Sequence, residues 1–151
     1  MKIYVAADHA GFHLKEKVLK YLRDNKYDVE DVGDKELNPE DDYPQYAYAA
    51  VTYLLGDDSK DPRAILICGS GQGMCIAANR VHGIRAALVW NENIAEETRQ
   101  DNDSNVLCLP ARELEQDLPK AYNIIEVWLK TPFSHAARHT RRIKEIEDIY
   151  G

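Results

Sequence analysis

Cysteine is scarce in this chain. Cys68, Cys75 and Cys108 are the three that occur, an odd number with no CxxC pair, so neither a disulfide framework nor a structural zinc site is expected to hold the fold. Free thiols suit a reducing compartment. No apolar run approaches the about 20 residues that a membrane-spanning helix needs. The opening MKIYVAADHAG is already strand-like and lacks the basic flank and apolar stretch of a signal peptide, so a cytoplasmic location with no membrane partner is expected. Positive charge is also in deficit. The 19 Lys and Arg against 26 Asp and Glu leave a net charge of −7, which argues against general nucleic-acid binding, because neutralising phosphates needs a basic surface. Six prolines and eight glycines in 151 residues form no low-complexity stretch, linker or repeat, and disorder is not expected.

What remains is an ordinary globular composition, with length enough for one domain spanning residues 1–151 and no second core. KIYVAA at 2–7 and AILIC at 64–68 read as buried strands, and YDVEDVG at 27–33 as a strand nearer the sheet edge. RAALVW at 85–90 and NVLCLP at 105–110 complete five. Helical spacing of Leu14, Val18, Tyr21 and Leu22 predicts a helix after the first strand, and residues 44–55 predict another with Pro44 in its first turn. Further helices are expected at 73–81, 92–102, 114–130 and 135–149. Strands alternating with helices imply a doubly wound, three-layer α/β/α domain around a five-stranded parallel sheet. Ligands in such sheets sit beyond the carboxyl ends of the strands. That rule selects Asp8-His9, the turn from Cys68 through Gly73, Trp90-Asn91, and the stretch from Pro110 to Arg112.

Within that set, Gly69, Gly71 and Gly73 can expose consecutive backbone N–H groups at the start of a helix, a cradle for an anion or a developing oxyanion. The GxGxG spacing on the third strand fits neither a Walker loop nor a dinucleotide fingerprint. A tight strand-to-helix turn with no ligand would look the same. Cys68 beside those amides would have its thiolate favoured, as a nucleophile or base; equally, it would serve as a small buried hydrophobe. Cys75 and Cys108 suit the second role. Asp8 can cap the helix that follows it or hold a ligand, and His9 can lie on the surface or in the site. The stretch HAARHTRRIK at 135–144 is basic in an otherwise acidic chain. Arg138 and Arg142 share a helix face, either as a solvated surface or as a grip on a phosphate monoester. No motif for a cofactor and no metal-ligand cluster stands out.

The segments AADHAGFHLK, DDYP, ICGSGQGMCIAANRVHGIRAAL, RQDNDSNVL and RHTRRI occur in this order. Together they resemble the ribose-5-phosphate isomerase B family, which includes galactose-6-phosphate isomerase subunits, over essentially the whole chain. The resemblance implies a Rossmann-like fold and a cofactor-free aldose–ketose isomerisation of a sugar phosphate through a cis-enediolate. It implies a homodimer or tetramer with shared active sites, the C-terminal helix packing on the partner. Carried over by motif, Cys68 is the base that moves a proton between C1 and C2. The backbone from Gly69 through Ser70, Gly71 and Gln72 to Gly73 holds the enediolate oxygens, and the Ser70 hydroxyl assists proton movement between them. Asp8, His9, Tyr43 and Asn102 bind the sugar, and Arg112, Arg138 and Arg142 the phosphate. Relatives that lack the cysteine use a glutamate further along the loop, where this chain has Met74. One position departs: Asp101 stands where the family usually has a histidine that opens the furanose ring. Ribose 5-phosphate is the first expectation for the substrate. A tetrose 4-phosphate, a hexose 6-phosphate or a non-catalytic sugar-phosphate-binding subunit are the alternatives.

Overall fold

The computed structural model describes residues 1–149. Five parallel strands, β1 Lys2–Ala7, β2 Asp28–Asp31, β3 Arg63–Cys68, β4 Ala86–Leu88 and β5 Val106–Pro110, lie in the order β2-β1-β3-β5-β4. The central strands β1, β3 and β5 are the continuous apolar runs, as strands covered on both faces must be. The short, half-buried β2 and β4 are the edges.

Helices α1 (Phe12–Asp24), α4 (Glu92–Asn102), α5 (Ala111–Leu114) and α6 (Leu118–Lys130) cover one face, where Ile3, Val5, Ile65, Ile67, Leu107 and Leu109 meet Leu14, Val18, Leu22 and Trp128. Helices α2 (Tyr43–Leu55) and α3 (Gln72–Ala78) cover the other, packing Ala47, Ala50, Val51, Leu54, Met74 and Ala77 on Tyr4, Ala6, Leu66 and Cys108. Each strand-to-strand step that moves across the sheet in one direction places its helix on one face, and each return step on the other, as right-handed crossovers require. The chain leaves β1 toward one edge and β3 toward the other. The switch point therefore lies between the carboxyl ends of β1 and β3, at Asp8 and Cys68.

Besides the strand expected at 27–33, which pairs over Asp28–Asp31, and the helix expected at 73–81, which runs Gln72–Ala78, three boundaries differ from the sequence expectation for a local reason. The helix expected at 114–130 is two, because Asp117 caps a fresh start by accepting from the Lys120 N–H at 3.2 Å, with Pro119 in the first turn. The fourth strand keeps only three paired residues, since Val89 and Trp90 already lead into the Asn91 cap of α4. The last helix, α7 (Ala137–Asp148), starts two residues late because His135 takes φ +55°, outside helical geometry. His139 is its buried residue, while Ile146 and Ile149 are 50% and 69% exposed. The end of the chain beyond Ile149 lies outside the described residues.

Candidate active site

At the switch point the turn after β3 is tightly built. Gly71 adopts φ +75°, and a Cβ there would lie 2.5 Å from Leu88 Cδ1, so both the backbone angle and the space demand glycine. A Cβ on Gly73 would lie 2.8 Å from the Tyr43 ring, and one on Gly69 would lie 2.7 Å from Arg112 Cζ. The glycines thus let an aromatic ring and a guanidinium close over the loop from opposite sides. The Arg112 N–H donates to the Gly69 carbonyl at 3.0 Å, fixing the start of α5 to the loop. The Ser70 Oγ accepts from the Gln72 N–H at 3.4 Å.

Cys68 is buried, 4% exposed, under this loop. Burial pushes its thiol up, the Met74, Gly71 and Gly73 amides that point at Sγ pull it down, and the nearby Asp8 carboxylate pushes it up again. The net direction is upward. This reverses the expectation that the helix start would favour the thiolate, because desolvation outweighs the amides. Asp8 is also buried and its carboxyl is raised, chiefly by burial, although the Gly11 N–H donates to Oδ1 at 3.0 Å. It caps the turn after β1 and faces the thiol as well, so the two readings of Asp8 coexist.

His9 is tied at two points. Its Nδ1 lies 2.6 Å from Asp41 Oδ1, and its backbone N–H donates to the same oxygen at 3.1 Å. The Asp41 side chain is 1% exposed while the imidazole is 43% exposed. The hydrogen bond to Asp41 raises the His9 pKa above the ordinary histidine value. Asp41 escaped the reading of the sequence for lack of any periodicity or spacing that marks it. Its one signal was its place in DDYP, two residues before the tyrosine that covers Gly73.

The remaining site residues gather elsewhere. Asp101, with its side chain 51% exposed, lies 3.5 Å from His139 Nε2, and the Arg138 Nε–H donates to the same nitrogen at 3.1 Å. The other ring nitrogen meets Ser134 Oγ at 2.9 Å. Asn102 ends α4 with its carbonyl accepting from Arg85 Nε at 3.0 Å, and Arg142 is exposed one turn after Arg138. Since α4 returns the chain to the start of β5, this group lies at the amino edge of the sheet. Cys68 is opposite the far end of β5, paired with Pro110. A strand of this length spans about 16 Å at ~3.3 Å per residue. The residues expected at the site therefore fall into two groups within one chain: Asp8, His9, Tyr43, Cys68, the glycine loop and Arg112 in one, and Asp101, Asn102, Arg138 and Arg142 in the other.

Cys108 is buried in the core of the α2–α3 face and the half-buried Cys75 packs against it, as expected of small hydrophobes. Among the described residues no three His, Cys, Asp or Glu side chains are grouped to hold a metal ion, and no helix is long and apolar enough to cross a membrane.

A buried thiol under an amide-lined loop at the switch point of a parallel sheet, with an arginine over the loop, defines an α/β site for a small anionic ligand. Comparison with known proteins narrows the class. The chain belongs to the ribose/galactose isomerase family, whose profile matches residues 3–146. It is 40% identical over 144 residues to a probable ribose-5-phosphate isomerase B of Mycoplasma pneumoniae, covering 95% of this chain and 91% of that protein. The ribose 5-phosphate isomerase of Thermotoga maritima superposes with a TM-score of 0.90 at 43% identity, covering 97% of both chains. The ribose-5-phosphate isomerase B of Mycoplasma genitalium, solved with bound ribulose-5-phosphate, gives a TM-score of 0.91 at 36% identity, over 99% of this chain and 95% of that one.

Proposed function

We propose that the protein interconverts ribose 5-phosphate and ribulose 5-phosphate without a cofactor, with Cys68 as the base. The observation that carries this is the Cys68 sulfur, buried at the end of β3 and faced by the amides of Gly71, Gly73 and Met74. The fraction of Cys68 that has lost its proton to solvent removes, as thiolate, the C2 proton of the open-chain aldose and becomes the thiol. The electron pair moves into a cis-enediolate whose O1 and O2 accept from the loop amides, and the proton returns to C1. The Ser70 hydroxyl carries the proton between O1 and O2. The two groups at opposite edges of the sheet support a homodimer in which Arg138 and Arg142 of the partner subunit complete the phosphate grip begun by Arg112, with Asp101 and Asn102 of the partner subunit at the sugar. The exposed Ile146 on α7 and Ile149 just after it support the same pairing.

The test incubates tetrose, pentose and hexose phosphates with the protein in D2O and follows them by proton NMR. Ribose 5-phosphate should give ribulose 5-phosphate, with any deuterium entering at C1 or C2. Asp101 is the observation that favours a second reading, a tetrose 4-phosphate substrate, which cannot close a furanose because its 4-oxygen carries the phosphate. Faster turnover of the tetrose than of ribose 5-phosphate would select it.

A further inference from the structure

Ribose 5-phosphate in water is mostly a furanose, and opening it needs an acid at the ring oxygen and a base at the anomeric hydroxyl. Asp101 stands where the resemblance implies a histidine for this work. A histidine is nevertheless present in the other group. His9 follows the buried Asp8 at the carboxyl end of β1, and the Asp8 carboxylate lies near the Cys68 thiol. Its Nδ1 and its own N–H both engage the buried Asp41 carboxylate, while among the described residues Nε2 has no partner. Asp41 lies two residues before Tyr43, whose ring covers Gly73 of the loop. From β1, the β3 turn and the loop before α2, these residues meet at the carboxyl end of the sheet.

We propose that His9, held by Asp41, is the acid that opens the furanose ring in this protein. The proposal rests on the ribose 5-phosphate reading. In the step, the Nε2 proton passes to the ring oxygen as the bond from C1 to that oxygen breaks. The anomeric O–H proton passes to the Asp8 carboxylate as the C1 carbonyl forms. No electron is gained or lost, and both groups are reset by exchange with water. After donation the imidazole keeps its Nδ1–H on Asp41, so it does not turn away between cycles. The charged groups facing His9 are Asp41, Asp8 and Glu40, and all favour the imidazolium.

The experiment measures the rate of ribulose 5-phosphate formation from ribose 5-phosphate as enzyme concentration is raised. An enzyme that opens the ring gives a rate proportional to its concentration. One that waits for the open chain reaches a ceiling set by spontaneous ring opening. Wild type should stay proportional, and His9→Gln, with an unchanged melting temperature, should climb to the ceiling and stop. A His9→Gln rate that continues past the ceiling overturns the proposal. So does a folded His9→Gln that never reaches it, because the later proton transfer would then be lost too. A ceiling in Asp101→Asn but not in His9→Gln assigns the step to Asp101 and likewise overturns it. Absence of any ribulose 5-phosphate with wild type is a different result, and it removes the ribose 5-phosphate reading itself.

Discussion

Burial and hydrogen bonding act in opposite directions on the Cys68 sulfur, and burial prevails in the free protein. The folded pKa is raised, so the neutral thiol is the resting form and the thiolate appears only as pH climbs past the ordinary cysteine range, near 8.5. Cys75 moves the other way: the Cys108 thiol donates to it and lowers its pKa. Peptide-resolved iodoacetamide labelling across pH should therefore show Cys75 reacting with a midpoint below that of Cys68. A Cys68 midpoint below 8.5 would contradict the burial argument. Cys68→Ser should keep the fold and lose at least about a hundredfold in kcat, the scale of a general base, since a hydroxyl is far too weak an acid to supply an anion. Turnover within threefold of wild type would remove the thiol from the mechanism. The Arg138 guanidinium, positioned on His139 Nε2 at 3.1 Å, should contribute about 1.5–3 kcal/mol to phosphate binding. Arg138→Ala should then raise the inhibition constant for inorganic phosphate about tenfold or more, read by competition against the sugar phosphate.

At the scale of elements, the switch point depends on how closely the turn after β1 approaches β3. A Cβ on Gly11 would lie 2.3 Å from the Ile67 carbonyl oxygen, a backbone atom of a fully paired central strand. Gly11→Ala should cost about 1–3 kcal/mol of stability by overpacking, and it should displace Asp8, whose Oδ1 accepts from the Gly11 N–H. Equilibrium urea unfolding measures the first effect. An unchanged midpoint would mean that the turn yields without resistance. The strands and most helices were legible because each is a single periodic pattern, as with RAILIC in β3 or Leu14, Val18 and Leu22 in α1. Strand order was not, because nothing local to β4 or β5 records that β5 inserts between β3 and β4. The position of the glycine turn beside Cys68 was legible from the glycines and the thiol at a strand end. Asp41 was not, since a carboxylate that serves a histidine 32 residues away leaves no spacing to find. The direction of the Cys68 shift was hidden for a similar reason. Amides follow from the turn, but the depth of burial follows only from the packing of α3 on the sheet.

At the scale of the whole molecule, the proposed dimer must bring the two groups of candidate residues together. Cys68 and Arg112 share the carboxyl edge of the sheet, with Arg112 resting on Gly69, and Arg138 lies at the other edge beside His139. If sites form between subunits, a dimer of Cys68→Ser chains has two sites without a thiol, and a dimer of Arg138→Ala chains has two without that arginine. A hybrid has one site that combines the intact loop of one chain with the intact α7 of the other. Random reassortment makes half of the dimers hybrid, with one of two sites whole, so mixing should restore about one quarter of wild-type activity. The control pairs Cys68→Ser with Arg112→Ala. Those residues belong to the same group of one chain, so every site in the hybrid lacks one of them and activity should stay at the level of the parents. Rescue by the Arg112→Ala partner and none by the Arg138→Ala partner would invert this arrangement and place Arg112, not Arg138, across the subunit boundary. A monomer at full activity in equilibrium sedimentation would dispose of shared sites altogether, because nothing within one chain brings Arg138 to the far end of β5.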